Sequence, residues 1–327
     1  MGWDLAGATV VVTGASSGIG RATAVAFAAK GANVVLAARR AKPLQEVAEE
    51  CARAGGRGLA VPTDVTDPGA VEALAQAAVD RFGRLDVWVN NAVVGLWARF
   101  EEIPLEDFRQ VIETALWGYI HGARAALPRF RQAGGGVLIN NASVLATISV
   151  PYASPYVVAK HGVRGLGMSL RQELALDGVR RIRVCTVMPA TIDTPFFQHS
   201  ANYTGRVLKA MPPVYPPERV ARAIVNCARW PRREVFVGNI ARLAYQQFKL
   251  MPGTTERAMM HLADKQALPR GKKALPTPGA VHEPMAEGTE AEGGWHGRRK
   301  TRTRRLASAG VAGAVGVMLS RRRGGAS

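Results

Sequence analysis

Cysteine is scarce in this chain, whose 327 residues include only Cys51, Cys185 and Cys227. The three form no Cys-x-x-Cys pair, and an odd number of cysteines cannot all pair within one chain. This excludes a small disulfide-stapled scaffold and favours buried thiols in a reducing compartment. The six histidines also show no metal-ligand spacing, so we expect no bound metal.

Acidic residues are absent from residues 298–327, which contain nine Lys and Arg residues. The whole chain has a formal net charge of +18, so half of the basic excess lies in this short stretch. An excess confined to one end predicts a low-complexity basic tail that meets a negatively charged surface, rather than a basic catalytic domain.

An apolar run long enough to cross a membrane is also missing from the tail. Residues 306–320 are fifteen uncharged residues, which extend roughly 22 Å as a helix against about 30 Å of hydrocarbon. The flanking arginines favour a segment that lies on an anionic membrane surface. A solvated tail and helix pairing through small residues are the alternatives. Nucleic-acid binding is disfavoured, because no aromatic residues interleave with the basic ones.

Composition divides the chain into three parts. A folded domain is predicted over residues 1–251, a C-terminal extension with a Pro/Gly/Glu-rich linker over 252–297, and the basic tail over 298–327. No charged leader with an apolar core precedes residue 8, where the first predicted strand begins. We therefore expect a cytoplasmic protein, with membrane association only through the tail.

Short apolar runs alternate with longer helical patterns through most of the folded domain. The predicted strands are residues 8–13, 33–38, 58–62, 85–90, 137–141, 182–188 and 234–237. The predicted helices between them are residues 20–30, 43–54, 68–82, 105–130 and 154–176. This alternation predicts an α/β fold, a doubly wound parallel sheet in one domain, with binding at the carboxyl ends of the strands.

A glycine-rich turn follows the first predicted strand directly. Glycine suits a turn that needs positive φ and a backbone that approaches a pyrophosphate, and the N-terminus of the next helix favours an anion. A purely structural turn is the alternative, but a turn between strand and helix near the start of the chain is the context that a dinucleotide site requires. The candidate cofactor residues here are Gly14, Ser16, Ser17, Gly18, Ile19 and Gly20.

A second group of residues is suited to proton transfer. Tyr156 and Lys160 are four residues apart, so they share one face of the predicted helix. A nearby ammonium favours the phenolate and lowers the pKa of the phenol, so that Tyr156 can exchange a proton with a substrate. Ser143 lies at the end of the fifth predicted strand and can hold the substrate oxygen. The Tyr-x-x-x-Lys spacing also occurs by chance on helices, and the addition of Ser143 makes the catalytic interpretation stronger.

Together these motifs resemble the short-chain dehydrogenase/reductase family over roughly residues 8–240. The resemblance implies a Rossmann-type sheet and an oxidoreductase that transfers a hydride between a nicotinamide and an alcohol or carbonyl carbon. It implies catalytic roles for Ser143, Tyr156 and Lys160, with Lys160 and Tyr156 also touching the cofactor. It further implies cofactor contacts at Asp64, Val65, Asn91, Ala92, Pro189 and Thr194.

The residues after the second predicted strand indicate which dinucleotide binds. A protein that prefers NAD(H) places an acidic residue there for the ribose 2′-hydroxyl, whereas this chain has Ala38 followed by Arg39. A guanidinium can bind a 2′-phosphate through charge-assisted hydrogen bonds. The sequence therefore predicts NADP(H) over NAD(H), unless Arg39 is only a solvated loop charge.

Two positions depart from the family pattern. Val93 replaces a glycine after Ala92, and Ala115 stands where the family carries an asparagine that supports a water at the lysine. Loss of that asparagine predicts slower proton supply, so Ala115→Asn is expected to raise kcat. The competing hypothesis is a cofactor-binding scaffold with little catalysis, whose tail serves membrane-surface association.

Apolar side chains are frequent after the fourth and sixth predicted strands, including Trp97, Phe196, Phe197 and Met211. They favour a pocket for a small hydrophobic carbonyl or alcohol substrate, although they could instead pack a lid against the domain. The family resemblance also implies a homo-oligomer, formed through the long helices that contain Trp117 and Lys160.

Overall fold

The computed structural model describes residues 3–297 and residue 299. The basic tail predicted over residues 298–327 therefore lies, apart from Arg299, outside the described residues. Within the described part, no helix combines the length and the apolar character needed to cross a membrane.

Seven parallel strands form the central sheet. They are β1 (Thr9–Thr13), β2 (Asn33–Ala38), β3 (Arg57–Pro62), β4 (Val87–Asn90), β6 (Gly136–Asn141), β7 (Ile182–Pro189) and β9 (Glu234–Val237). Their order is β3-β2-β1-β4-β6-β7-β9, and every neighbouring pair is parallel. The order reverses direction between β1 and β4, which opens a crevice at their carboxyl ends. The predicted Rossmann-type fold is confirmed.

Helices cover both faces of this sheet. They are α1 (Gly18–Ala28), α2 (Ala41–Arg53), α3 (Pro68–Phe82), α4 (Leu105–Ile112), α5 (Gly118–Gln132), α6 (Ser154–Leu176), α7 (Phe196–His199), α8 (Pro217–Arg229), α9 (Asn239–Leu250) and α10 (Pro252–Leu262). Side chains of β1 alternate between two apolar cores, with Val10 and Val12 in one and Val11 in the other. All five residues of β1 are buried, which explains its continuous apolar sequence.

The long helix predicted over residues 105–130 is instead divided into two. A π-helical turn, Glu113–Trp117, joins α4 to α5. Helical periodicity is judged over a window of several turns, so a single π-helical turn inside a longer apolar pattern is not resolved by it. The turn contains Ala115, which is fully buried.

A two-stranded ribbon beside the sheet is missing from the sequence prediction. β5 (Leu96–Trp97) pairs in parallel with β8 (Ala201–Asn202). Strands of two residues are too short to show an alternating pattern. The ribbon ties the loop after β4 to the loop after β7, and these two loops flank the crevice.

The C-terminal extension packs against the domain. Met259, Ala263 and Leu268 join an apolar cluster with Trp97. The Pro/Gly/Glu-rich stretch of this extension, residues 269–294, which its composition predicts to be a linker, also lies on the domain, and Val281 is fully buried there. Most of the polar contacts of this segment are made by its backbone, which explains why its composition resembles that of a linker.

Candidate active site

The glycine turn after β1 lies against the end of β4. A Cβ atom added to Gly14 would approach the Cα atom of Ala92 to 2.8 Å, and Gly14 has φ of +65°. A Cβ atom added to Gly20 would lie 2.0 Å from the carbonyl oxygen of Gly14. Asn91 fastens the turn, because its Nδ2 donates to the Thr13 carbonyl at 2.9 Å. Glycine is therefore required at both positions, and the turn forms a backbone cradle that fits a dinucleotide pyrophosphate.

One cavity of about 290 Å³ lies along the carboxyl edge of the sheet. Of the predicted site residues, only Gly20 does not line it, since Gly20 packs on Gly14 instead. The predicted residues that line the cavity are Gly14, Ser16, Ser17, Gly18, Ile19, Arg39, Asp64, Val65, Asn91, Ala92, Ser143, Tyr156, Lys160, Pro189 and Thr194. The structure thus brings together residues that are distributed over most of the domain sequence.

Ser143, Tyr156 and Lys160 meet near the middle of the cavity. Ser143 follows β6, while Tyr156 and Lys160 lie one turn apart on α6. Lys160 is only 1% exposed, and its Nζ lies 5.6 Å from the centre of the Tyr156 ring. A hydrogen bond links the side chains of Ser143 and Tyr156.

Burial dominates the titration of this group. It raises the pKa of Tyr156 to about 12, and the hydrogen bond to Ser143 acts in the opposite direction. It also lowers the pKa of Lys160 to about 7. The lysine at i+4 predicts a lowered phenol pKa, and the direction differs because burial of the phenol disfavours the phenolate more than Ser143 favours it.

Tyr119, on α5, is absent from the candidate residues of the sequence analysis. Its Oη lies 2.9 Å from the Nζ of Lys160. A tyrosine at helical spacing among apolar residues is typical of a core position, so the sequence pattern offers little sign of this contact. One available signal is its position four residues after Ala115, on the same side of the helix.

The other end of the cavity is covered by residues 280–297, which we call the C-terminal strap. Arg39 donates to the carbonyl oxygen of Ala280 at 2.9 Å and to that of His282. Arg40 donates to the carbonyl of Met285 at 2.7 Å. The first N–H group of α1, that of Gly18, donates to the carbonyl of Glu290 at 3.0 Å. The carbonyl groups of the strap thus accept hydrogen bonds from donors that could otherwise bind an anion.

Asp193 anchors the far end of the strap. Its side chain is fully buried. Its carboxylate accepts hydrogen bonds from the backbone N–H groups of Gly293 at 3.0 Å, Trp295 at 2.8 Å and Gly297 at 2.6 Å. Asp193 lies between Pro189 and Thr194, so one carboxylate connects the strap to the loop that carries these two predicted cofactor contacts.

The cavity wall beyond Tyr156 is apolar. It is formed by Trp97, Leu145, Val150, Phe196, Phe197, Met211, Met259, Ala263 and Ala267. The last three belong to the C-terminal extension, in which the sequence predicts no substrate contact. Tyr203 follows β8 and donates to Asp107 rather than lining the cavity. Across the described residues, no cluster of three or more His, Cys, Asp or Glu side chains could hold a metal.

The glycine cradle, the Ser-Tyr-Lys group and the parallel sheet define a nucleotide-dependent oxidoreductase of the α/β class. Residues 8–203 match the short chain dehydrogenase family. The chain belongs to this family, whose members bind NAD(P) and act on alcohols and carbonyls.

The chain is also similar to individual oxidoreductases. The chain is 35% identical over 276 residues to YxnA, an uncharacterized oxidoreductase of Bacillus subtilis, a match that covers 81% of this chain and 77% of YxnA. It is 33% identical over 215 residues to a cyclohexanol dehydrogenase of Acinetobacter, covering 65% and 84% of the two chains. It is also similar in structure to an alcohol dehydrogenase of Thermococcus sibiricus complexed with 5-hydroxy-NADP. That similarity has a TM-score of 0.62 and 28% identity, and covers 70% and 95% of the two chains.

Proposed function

We propose that this chain interconverts a secondary alcohol and a carbonyl group on a hydrophobic substrate, with NADP(H) as the redox partner. One observation carries the proposal. A single cavity connects the glycine cradle to an apolar wall, and Ser143, Tyr156 and Lys160 lie between the two. A dinucleotide in the cradle and a substrate against the wall would therefore meet at these three side chains.

The chain supplies binding, orientation and a proton. Gly14, Ser16, Ile19 and their neighbours would hold the dinucleotide, which when bound would supply or accept the hydride. Ser143 would orient the substrate oxygen. In reduction, the Oη of Tyr156 gives its proton to the oxygen of the carbonyl group, and in oxidation it takes that proton back. Positive charge on Lys160 favours the phenolate left behind.

The preference for NADP(H) depends on charge beside β2. Ala38 provides no carboxylate for a 2′-hydroxyl, and Arg39 lines the cavity directly after it. A guanidinium beside the adenine end of the cradle favours a 2′-phosphate. The strap carbonyls that contact Arg39 would have to share or release it when such a phosphate binds.

The substrate class is inferred from the apolar wall. Beyond Ser143 and Tyr156, the lining side chains are aromatic, aliphatic or methionine, among them Trp97, Phe197 and Met259. A wall of this kind stabilises apolar surface and leaves charged groups without partners. A cyclic or aliphatic ketone fits these side chains better than a hydroxy acid.

Fluorescence titration of the full-length protein with NADPH and, separately, with NADH tests the proposal. Tight binding of NADPH with much weaker binding of NADH is expected. Reduction of cyclohexanone would then be compared with reduction of a charged keto acid, with cyclohexanone favoured. If a folded sample binds neither dinucleotide, the hydride-transfer function is wrong and the scaffold alternative takes its place.

We also propose a homo-oligomer that pairs through the long helices. Several apolar side chains on these elements are exposed, among them Trp117 at 45%, Val158 at 51% and Met168 at 45%. Burial of such side chains in a partner surface would remove apolar area from water. Analytical ultracentrifugation of the wild type and of Val158→Glu tests this, since a monomeric wild type would contradict it.

Binding of the tail to an anionic membrane surface is a further proposal, supported by the charge pattern of residues 298–327. Flotation with anionic liposomes would compare the full chain with a chain that ends at Gly297. Equal flotation of the two would exclude anchoring by the tail.

A further inference from the structure

The ammonium of Lys160 is held by two oxygen atoms inside the domain. Nζ donates to the Oη of Tyr119 at 2.9 Å and to the carbonyl oxygen of Asn141 at 3.1 Å. The same nitrogen lies 4.6 Å from the centre of the Tyr119 ring. A lysine ammonium has three N–H donors, so these contacts leave one for a ligand in the cavity.

Tyr119 presents an acceptor rather than a donor to this ammonium. Its own hydroxyl proton is donated to the carbonyl of Asn141 at 2.9 Å. Only lone pairs of Oη therefore face Lys160, and an acceptor favours the charged form of lysine. Tyr119 is 1% exposed, and its backbone carbonyl accepts from the Nδ2 of Asn90 at 3.0 Å, which fixes α5 at this point.

Ala115 precedes Tyr119 by four residues and is fully buried. An alanine has no polar atom to offer Lys160. Tyr119, one turn further along, makes the polar contact to Lys160 instead.

We propose that Tyr119 is a positioning residue for Lys160: its hydroxyl oxygen stabilises the ammonium and directs the remaining N–H group toward the cavity. The consequence for turnover depends on the proposed dehydrogenase function, whereas the effect on Lys160 does not. Tyr119 does not line the cavity, so it acts through the lysine, which does.

Loss of the Tyr119 hydroxyl is expected to change the pKa of Lys160 in one direction only. The titratable groups that face Lys160 are the phenols of Tyr119 and Tyr156, and among the described residues no carboxylate pairs with it. Removal of one acceptor destabilises the ammonium and lowers the pKa of Lys160. Tyr156 then loses part of the positive charge that favours its phenolate.

The direct test is a titration of Lys160 by NMR in the full-length protein, with isotope-labelled lysine side chains and Lys160→Arg to assign the signal. In Tyr119→Phe we expect Lys160 to titrate about one pH unit lower, a tenfold change in its protonation equilibrium. Tyr203→Phe is the matched control, because it removes a hydroxyl bonded to Asp107 instead. Tyr119→Leu gives a second reading, since it removes the same oxygen with different packing. An unchanged Lys160 titration in either folded variant would overturn the proposal.

Kinetics separate positioning from a general loss of structure. Oxidation of cyclohexanol with NADP+ by Tyr119→Phe should show kcat at pH 7 lower by about tenfold, with KM changed little. Equal pH profiles for wild type and variant would also count against the proposal. A wild type that binds no dinucleotide would remove the proposed function, while the NMR result on Lys160 would still stand.

The C-terminal strap carries a second inference independently. Ala280, Pro284 and Met285 of the strap form part of the cavity wall. The strap also lies very close to the domain, because a Cβ atom added to Gly293 would be 2.1 Å from the carbonyl oxygen of Thr194. Together with the bonds to Arg39, Arg40 and Asp193, these contacts hold the strap against the domain at this part of the cavity wall.

We infer that the strap is a gate: a dinucleotide enters and leaves only when residues 280–297 move away from the domain. This inference rests on the proposed cofactor binding. A gate slows association and dissociation together, whereas a simple competitor for Arg39 would slow association alone.

Gly293→Ala in the full chain loosens the strap, because its methyl group would collide with the Thr194 carbonyl. Gly294→Asn is the matched control, since a Cβ atom there meets nothing within 4 Å and asparagine tolerates its φ of +77°. Stopped-flow fluorescence with NADPH should show both rate constants raised about tenfold in Gly293→Ala, equivalent to the loss of one hydrogen bond from the closed state.

Asp193→Asn should act in the same direction. Unchanged rates, or faster association alone, would overturn the gate. No NADPH binding by the wild type would remove the proposed function instead.

Discussion

The two ends of the cavity are built in different ways. At the catalytic end, single side-chain atoms of Tyr119, Tyr156 and Lys160 meet inside the domain, where Lys160 is 1% exposed. At the phosphate end, backbone carbonyls of the strap meet Arg39 and the first N–H group of α1. The catalytic end therefore depends on the functional groups of particular side chains, whereas the phosphate end depends on where the backbone of the strap lies. Substitutions that remove one functional group should accordingly have their greatest effect at the catalytic end.

The largest effect is expected for Tyr156→Phe. This variant removes the proposed proton donor and keeps the ring that contacts Phe196. Loss of general acid catalysis should lower kcat by about 10²- to 10⁴-fold, with NADPH affinity nearly unchanged. Steady-state kinetics with cyclohexanone and a parallel NADPH titration measure the two quantities. A variant that retains most of its kcat would assign the proton transfer to another group.

Lys160 should reduce stability in a pH-dependent way, because its folded-state pKa is lowered to about 7. Between that value and its unfolded pKa, near 10.4, the unfolded chain binds more protons, so stability rises with pH. The full penalty of a buried ammonium is present below pH 7. Lys160→Met should therefore raise the free energy of unfolding by about 2 to 3 kcal/mol more at pH 6 than at pH 9.

Thermal denaturation at the two pH values measures this difference. Lys42→Met, on a solvent-exposed position of α2, is the control. If the gain from Lys160→Met is equal at pH 6 and pH 9, the lysine pKa is not lowered in the folded protein. The same variant should lose turnover, since the charge near Tyr156 is removed.

Arg39→Ala tests the phosphate end. Loss of the guanidinium should weaken NADPH binding by about 10- to 100-fold and change NADH binding little. Arg57→Ala, which removes an exposed arginine from β3, is the control with the same charge change. Equal weakening of both dinucleotides would indicate that Arg39 serves mainly to hold the strap.

Sequence predicts the catalytic end better than its surroundings. The strands place Ser143, Asn91 and the glycine turn at one edge, because carboxyl ends of parallel strands meet there. The i, i+4 spacing brings Tyr156 and Lys160 together on α6. Tyr119 escapes prediction because a tyrosine at helical spacing among apolar residues is typical of a core position, and the pattern does not show that its hydroxyl meets Lys160.

The strap illustrates a different limit of sequence reasoning. Its contacts with Arg40, Gly18 and Asp193 are made by backbone groups, which every residue carries. Glycines such as Gly293 permit the close approach, but glycines also characterise flexible linkers. Composition alone therefore cannot distinguish a strap from a linker, whereas side-chain motifs reveal a catalytic group.

The smallest effect on turnover is expected at Ala115. The family resemblance predicts that Ala115→Asn raises kcat, on the view that Lys160 lacks a polar partner from this helix. In the structure that partner is Tyr119, at 2.9 Å. An asparagine at the fully buried Ala115 would add volume and a polar group to a packed position, at a cost of about 1 to 3 kcal/mol in stability. We therefore expect no gain in kcat and a lower Tm, measured by steady-state kinetics and thermal denaturation. A clear rise in kcat in Ala115→Asn, with Tyr119 intact, would show that the Tyr119 phenol does not take the place of the family's asparagine. The interpretation from the family resemblance, in which that asparagine supports a water at Lys160, would then hold.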